Sequence, residues 1–168
     1  MSTPWTTPTE IVQYAEDISH IEWDTNFESV ITMNGGLSLI KPLFHIARQP
    51  KNDIKSKSWY LKATNFNFQN IPVSITGITL KMTMTRQGRV TDDTIQLTHN
   101  GDLIGDNKCS RSLNPVNVYG DSTDTWGVSN LRNIIQDSTF GIVVRFRSHP
   151  EWPHSTTPIL RGLELQIH

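Results

Sequence analysis

The chain has 168 residues, a length that suits one ordinary domain with a sizeable core. Its 15 basic and 16 acidic residues give a net charge of −1, which argues against a general nucleic-acid-binding protein because such a domain is normally clearly basic. No run of about 18 apolar residues occurs, so no membrane span is expected, and the N-terminus lacks the pattern of a secretory signal. The single cysteine, Cys109, excludes an internal disulfide framework and a multi-cysteine zinc site.

The residue composition favours β-strands. The chain has 17 Ile and 9 Val against 3 Ala, and β-branched side chains suit a pleated sheet, whereas Ala is the best helix former. Charged residues make up only 18% of the chain, which is low for a protein that lives as a solvated monomer. A weakly charged surface fits a protein packed against others, although Thr-rich outer strand faces explain the same composition.

The patterns in the first part of the chain are short. The predicted elements are one or two helical turns at 9–17, strands at 26–32, 37–40 and 59–63, and a loop at 42–57. Asn34-Gly35-Gly36 is a hairpin signal between the first two of these strands.

The clearest strand of the sequence is predicted from Val73 to Arg86. From Ile78 onward, apolar residues alternate with Thr and Lys, which is the period of a strand with one buried face. Upstream of Gly77 the apolar residues fall on the opposite phase. A glycine at such a slip predicts a β-bulge or a bend.

The rest of the chain alternates short strands with turn signals. The predicted elements are turns at 87–88 and 100–102, strands at 93–98, 140–147 and 159–167, a helix at 129–137, and a loop at 149–158. Residues 105–127 are predicted to form a long polar loop or a loop with short strands. Ser129 is the predicted N-cap of the helix, which places Leu131, Ile134 and Ile135 on one side. Together these elements predict an all-β fold in one domain spanning 1–168. The expected architecture is an antiparallel β-sandwich or barrel with at most one or two short helices.

Chemical motifs indicate no catalytic, cofactor or metal site. The sequence lacks a phosphate-binding Gly loop, a Gly-x-Ser-x-Gly elbow and a His-Glu-x-x-His helix. Cys109 follows Lys108, a cation that could lower the thiol pKa, but an inert cysteine is the preferred interpretation. His149, Glu151 and His154 are metal-ligand types, yet nearby prolines disrupt any helical spacing, so a solvated loop is preferred.

Three further sets of side chains allow either a binding role or a structural one. The loop acids have oxygens that suit calcium but are explained equally as turn formers: Asp92, Asp93, Asp102, Asp106, Asp121 and Asp124. The tryptophans can stack on sugar rings but are assigned mainly to the core and partly to an interface: Trp5, Trp23, Trp59, Trp126 and Trp152. Arg145 and Arg147 are expected on the outer face of a strand, either binding phosphate or a partner carboxylate or simply solvated.

An ordered set of short motifs resembles a group of small β modules encoded by tailed bacteriophages. In chain order the motifs are Trp5 with Pro8, Tyr60-Leu61-Lys62-Ala63-Thr64-Asn65-Phe66-Asn67-Phe68, Ile71-Pro72, Ile75-Thr76-Gly77-Ile78, Asp93 with Leu97, Gly105-Asp106-Asn107-Lys108, Tyr119-Gly120, Asp124-Thr125-Trp126-Gly127 and Phe140-Gly141-Ile142-Val143-Val144. The order holds from the N-terminus to the final strand, so the resemblance covers nearly the whole chain.

The resemblance implies a jelly-roll-like β-sandwich that serves as a structural part of a virion assembled in the bacterial host cytoplasm. Such modules decorate capsids or build tail and baseplate attachments, usually as homo-oligomers and often as trimers. The implied partners are other virion proteins, with residues 1–20 as a candidate arm that docks on neighbours. The family pattern contains no catalytic residues. Within it, Asp124 is predicted to cap the loop ahead of Trp126, whose ring would close one end of the sandwich.

Two other functions stay open at this point. A receptor- or glycan-binding tail module needs an exposed aromatic ring beside polar side chains, and its candidate ligand-binding residues are Tyr119, Asp121 and Trp126. An enzyme such as a depolymerase needs two converging carboxylates, and the 6 Glu include no recognisable pair. The sequence therefore predicts a non-enzymatic virion protein with no cofactor, no metal and no nucleic-acid partner.

Overall fold

The computed structural model describes residues 1–43, 57–149 and 156–168, and these residues form two antiparallel sheets. The strands are β1 (Glu10–Tyr14), β2 (Leu37–Ser38), β3 (Tyr60–Thr64), β4 (Ile78–Arg86), β5 (Val90–His99), β6 (Asp102–Ile104), β7 (Val116–Asp121), β8 (Gly141–Ser148) and β9 (Ile159–Ile167). Sheet I has the order β1-β3-β8-β5-β6, and sheet II has the order β2-β9-β4-β7. The prediction of an all-β antiparallel sandwich is confirmed.

The strand order is that of a jelly roll. From β2 to β9 the strands pair from the two ends of the chain inward. Strand β2 pairs with β9, β3 with β8, β4 with β7, and β5 with β6. This is one long antiparallel hairpin, wrapped so that its successive strand pairs alternate between the two sheets. Strand β1 extends sheet I at the edge beside β3.

The core lies between the two sheets and is built by period-two alternation. The inward-facing residues of the three longest predicted strands are buried as predicted: Ile78, Leu80, Met82, Met84, Ile142, Val144, Phe146, Leu163, Leu165 and Ile167. Burying one such side chain contributes about 1.5–3 kcal/mol relative to leaving it exposed. Burial of these side chains is therefore the main stabilising contribution to the packing of sheet I against sheet II.

The N-terminal segment pairs with strands of its own chain. The amides of Thr3 and Thr6 donate to the carbonyls of Ile167 and Leu165, both at 2.9 Å, and β1 follows in sheet I. The helical turns predicted at 9–17 are therefore wrong for Glu10–Tyr14. Strand pairing outweighs the weak local pattern here. Residues 1–20 are the candidate docking arm. Most of the first half of this segment is therefore paired with strands of the same chain.

The prediction of a strand at 26–32 is also wrong. Residues Glu28–Ile31 form α1, because Phe27, Val30 and Ile31 pack at helical spacing against the core. The Ser29 hydroxyl donates to the Asn26 carbonyl at 2.8 Å, which supports the first turn. The predicted hairpin consequently does not form, and β2 pairs with β9 instead.

Several element boundaries differ from the predictions. Strand β4 begins at Ile78, so the phase slip at Gly77 marks the entry into the strand, and the register shifts lie near Met84. Helix α2 spans Leu131–Ile134, with Asn130 and not Ser129 at its N-cap position. Leu131, Ile134 and Ile135 are nevertheless buried as predicted. No helix among the described residues has the length and apolarity to cross a membrane.

Candidate functional site

The three residues predicted for ligand binding do not form an exposed platform. Trp126 is fully buried, and its indole Nε1 donates to the carbonyl of Ile78 at 2.9 Å. Tyr119 is also buried, and its hydroxyl donates to Asp92 Oδ2 at 2.8 Å. Only Asp121 is exposed, where it accepts hydrogen bonds from Thr123. The binding role requires an exposed ring, but both rings are buried, because each aromatic side chain finds a buried partner for its polar atom.

Trp126 closes one end of the sandwich, as the sequence predicts. Asp124 Oδ1 accepts a hydrogen bond from the Trp126 amide at 2.8 Å, which is the predicted cap. The Trp126 carbonyl accepts from the Asp106 amide at 2.7 Å, and Lys108 Nζ lies 2.7 Å from Asp124 Oδ2. We call this set, Asp106, Lys108, Asp124 and Trp126, the Trp126 end. Its polar groups are paired with one another, so it is a structural closure.

Arg145 lies on the outer face of sheet I, as predicted, but it is covered and is not solvated. Its guanidinium lies over the Tyr60 ring at 4.1 Å, and its Nε donates to Asp93 Oδ2 at 2.8 Å. Glu16, from the segment after β1, adds a carboxylate oxygen at 3.5 Å. Burial raises the pKa of Asp93, but the charge and hydrogen bond of Arg145 lower it by more, so the net pKa lies below its usual value. This cluster fastens the N-terminal segment to the outer face of sheet I. Arg147 is more exposed and lies 4.0 Å from Asp93.

The remaining candidates that the structure describes are not arranged for metal or thiol chemistry. Burial raises the pKa of the Cys109 thiol, and Asp92 and Asp93 raise it further, so the activation considered for this cysteine is wrong. Its neighbour Lys108 pairs with Asp124 instead. Within the described ranges no three His, Cys, Asp or Glu residues are placed to hold a metal ion. Three of the predicted candidates lie outside those ranges: Glu151, Trp152 and His154.

The other described tryptophans serve mainly as structural residues. Trp23 Nε1 donates to the carbonyl of Trp59, and Trp59 Nε1 donates to that of His20, both at 2.9 Å. Trp5 is the most exposed of them at 37%, and Lys81 Nζ lies 4.4 Å above its ring. Trp23 and Trp126 are core residues, as predicted for part of this set, and the interface role predicted for the others stays a prediction.

A cleft of about 470 Å³ lies at the end of the sandwich opposite Trp126. Three arginines and one histidine line it, together with hydroxyl side chains: Arg86, Arg89, Arg111, His149, Thr91 and Ser112. Its described lining contains no Asp or Glu. We call this feature the arginine cleft.

Three separate segments bring the arginines to the cleft. Arg86 ends β4, and its Nε donates to the Thr157 carbonyl at 3.0 Å. Arg89 lies in the turn before β5, and Arg111 lies in the loop before β7. Sequence reasoning missed this cleft because the three residues share no motif spacing. The available signal was the pair Arg86 and Arg89 on either side of a predicted tight turn.

Strand β7 forms an apolar edge of sheet II. It is the last strand of that sheet, and its outward-facing Val116 and Val118 are 52% and 61% exposed. They lie opposite Thr83 and Lys81 of β4, respectively. Natural edge strands usually carry charges that prevent further pairing. The outward positions of β7, which are Val116, Val118 and Gly120, carry none, and the exposed charge of the strand is Asp121 at its end. We call Val116 and Val118 the valine edge.

Comparison with known proteins identifies no relative of this chain. No family model matches the chain, and neither a curated protein nor a solved structure does so. The function is therefore argued from the chain's own residues, its strand order and its surface.

Proposed function

We propose that this chain is a non-enzymatic structural protein of a tailed-bacteriophage virion. It docks on capsid proteins as a decoration or cement module, or on tail and baseplate proteins. In the particle it acts as a homo-oligomer, with a trimer as the expected form. Its mechanism is burial, since covering exposed strand surface stabilises the neighbours by mass action.

The roles of the motif residues support this proposal. The residues that carry the phage resemblance build the scaffold: Asp124 caps the turn, Trp126 fills the end of the core, and Phe140 is buried beside Phe68. The motif order thus corresponds to positions that a jelly roll of this kind requires. Jelly rolls occur in viral capsid proteins and in lectins, so the fold is compatible with the proposal and does not decide it.

The observation that carries the proposal is the valine edge. A strand edge with two exposed β-branched side chains and no outward charge is a template for pairing with another chain. In a particle, a neighbouring subunit covers such an edge. Burying the exposed half of each valine contributes about 1 kcal/mol, and repeated copies on a symmetric particle multiply this small term.

A sedimentation experiment tests the proposal. Particles of the encoding phage that lack this chain are mixed with the purified chain and pelleted. We expect the chain to pellet with the particles. Val118→Lys should weaken binding about tenfold or more, because a charge on the edge must be desolvated. Val12→Lys is the matched control, since Val12 is 48% exposed on β1 at the edge of the other sheet.

Each outcome of this experiment is informative. Failure of the unmodified chain to pellet with its own particles would overturn the virion role. Loss of binding in Val12→Lys but not in Val118→Lys would move the docking surface from the valine edge to β1. Both variants should unfold at nearly the same denaturant concentration as the unmodified chain, since exposed substitutions usually change stability by about 0.5 kcal/mol or less.

A receptor- or glycan-binding tail module is the second candidate. The arginine cleft favours it, since a concave site with several convergent polar groups is the usual form of a small-ligand site. The candidate residues Tyr119 and Trp126 do not contribute, because both rings lie in the core.

A further inference from the structure

The valine edge carries backbone groups that point away from the strands of its own chain. The Met84 amide donates to the Pro115 carbonyl at 2.7 Å, so the positions of β7 that bond to β4 are Pro115 and every second residue after it, beginning with Asn117. The amides and carbonyls of Val116 and Val118 therefore point outward in the plane of sheet II. Within the described part of the chain, no hydrogen bond reaches them. Another strand can bind such an edge through backbone hydrogen bonds.

Antiparallel pairing of β7 with a second copy of itself satisfies these groups. With a two-fold axis beside Asn117, Val116 of each copy lies opposite Val118 of the other. Each of these pairs then exchanges two backbone hydrogen bonds, and its β-branched side chains pack on one face of the sheet. An axis beside Val118 would need Gly120 as the partner of Val116, but Gly120 has a φ of 75° and is not extended. The geometry of β7 therefore favours the axis beside Asn117.

The charges near the two ends of β7 are complementary in this arrangement. Asp121 ends the strand and is exposed, and Arg111, which is also exposed, lies in the loop that precedes it. Four residues from the axis, Asp121 of one copy lies opposite Leu113 of the other, two residues from Arg111. Parallel pairing would instead place the two Asp121 carboxylates side by side, and like charges that close are destabilising. The charges thus favour a second copy in the antiparallel orientation.

These observations identify a partner for the valine edge. We infer that this partner is a second copy of the same chain, bound about a two-fold axis beside Asn117. The contact is isologous, since the same strand contributes both halves of it. Two copies of sheet II then form one continuous sheet through their β7 strands. The inference rests on the docking role of the valine edge in the proposed function, and the two-fold contact is additional to the trimer proposed there.

The contact is small, which sets the expected strength of the dimer. Each copy contributes two half-exposed valines and one strand edge. Contacts that bury less than about 1,200 Å² are typical of weak complexes. Two free copies should therefore associate only as the protein concentration rises. On a particle that holds copies side by side, the effective concentration is high and the same contact forms readily.

Sedimentation velocity of the purified full chain tests the inference. We expect a monomer at about 10 µM and an increasing dimer fraction towards about 1 mM. Val118→Lys should weaken dimerisation about tenfold or more, because the lysine must be desolvated opposite Val116 of the other copy. Val12→Lys is the matched control, since Val12 is 48% exposed on β1 at the edge of the other sheet, and it should leave dimerisation unchanged.

A mixture of two variants tests the register. Val116→Glu alone should weaken dimerisation as Val118→Lys does. Mixing the two variants should give a heterodimer several-fold tighter than either homodimer, because the glutamate of one copy then faces the lysine of the other. Fluorescence-detected sedimentation with one labelled variant measures this, and circular dichroism checks the fold of each variant. A heterodimer no tighter than the homodimers would contradict the axis beside Asn117.

Three further results would overturn the inference. The first is a chain that stays monomeric at about 1 mM. The second is a dimer that Val12→Lys weakens and Val118→Lys does not. The third is a trimer that forms without a dimer. A monomeric chain that still pellets with particles would assign the valine edge to another virion protein and leave the proposed function standing. Conversely, a dimer that does not pellet with particles would support the inference and overturn only the virion role.

Discussion

The two ends of the sandwich differ in how their polar side chains are arranged. Strand β4 connects them, with the Ile78 carbonyl bonded to Trp126 at one end and Arg86 in the cleft at the other, about 26 Å away along the strand. At the Trp126 end the indole, Asp124 and Lys108 are paired with one another or with the backbone. At the cleft, three arginines share one cavity with no described acid in its lining.

This difference indicates that the residues that stabilise the fold and the candidate ligand-binding residues lie at opposite ends of the sandwich. The Trp126 end contains several motif residues of the phage resemblance, and its contacts are internal. The arginine cleft contains only Arg86, which ends the alternating strand of that resemblance. Positive φ values occur at both ends, at Trp126 (57°) and at Arg89 (56°) and Arg111 (59°). Changes at the first end should therefore alter unfolding, whereas changes at the second should alter ligand binding.

Removing the Trp126 ring should have the largest effect on stability. Trp126→Ala should lower the free energy of unfolding by about 3–5 kcal/mol, because it leaves a cavity in a filled core. Urea denaturation measures this loss, with Trp5→Ala as the control, since Trp5 is 37% exposed. Equal losses in the two variants would contradict the closure. Where Trp126→Ala does not fold, Trp126→Phe should still lose about 1 kcal/mol through the unpaired Ile78 carbonyl.

A pair of glycine variants separates crowding at the Trp126 end from backbone strain. Gly120 and Gly101 both have positive φ, at 75° and 83°. A Cβ on Gly120 would lie 2.3 Å from the Ile78 carbonyl oxygen and 2.5 Å from Trp126 Nε1, whereas one on Gly101 would meet nothing within 4 Å. We expect Gly101→Ala to cost about 1 kcal/mol and Gly120→Ala about 2–4 kcal/mol. Thermal unfolding of both variants measures the difference, and equal costs would show that the Trp126 end is not tightly packed.

Acid should weaken the Asp93–Arg145 cluster that fastens the N-terminal segment. The pKa of Asp93 is lower in the folded chain than in the unfolded one, so the folded state binds fewer protons near this pKa. The stabilisation is therefore present above the unfolded value of about 3.9 and is lost as the pH falls through the folded value. Asp93→Asn should cost about 2 kcal/mol at pH 7 and should flatten the loss of stability below pH 4. Urea midpoints measured from pH 7 to pH 2 test this, and an unchanged slope in the variant would assign the acid sensitivity to other carboxylates.

The smallest expected change in stability concerns the strained cleft. Arg89→Asn should raise the free energy of unfolding by about 0.5–1 kcal/mol, because asparagine tolerates the left-handed region better. Urea denaturation measures this gain, and Arg89→Gln is the control because glutamine keeps the unfavourable backbone conformation. Equal free energies of unfolding in the two variants would show that this conformation costs little.

The sequence predicted the elements whose signal is local. Ile78–Arg86 and Ile159–Ile167 were recognisable because alternation of apolar and polar residues directly reports a half-buried strand. The cap of Trp126 by Asp124 was also predictable, since the two residues are close in the chain. The short elements β1 and α1 were missed because tertiary pairing and packing decide them, and residue patterns this short do not.

The site depends on contacts that the sequence does not display. Arg145 is covered by contacts with Tyr60 and Asp93, and Glu16, which is far away in the chain, adds a carboxylate oxygen at 3.5 Å. The position of Arg111 depends on Asp92 in β5, and no spacing rule links these residues. Similarly, Tyr119 and Trp126 fitted an exposed platform by residue type alone, but the jelly roll places both rings inside.

Immunogold electron microscopy with antibody to this chain, on intact particles of the bacteriophage to which the proposed function assigns it, tests the virion role most directly. The proposed function predicts label on the particle, over the head for a decoration module or at the tail end for a baseplate part. Absence of label on intact particles, with the chain present in infected cells, would contradict it.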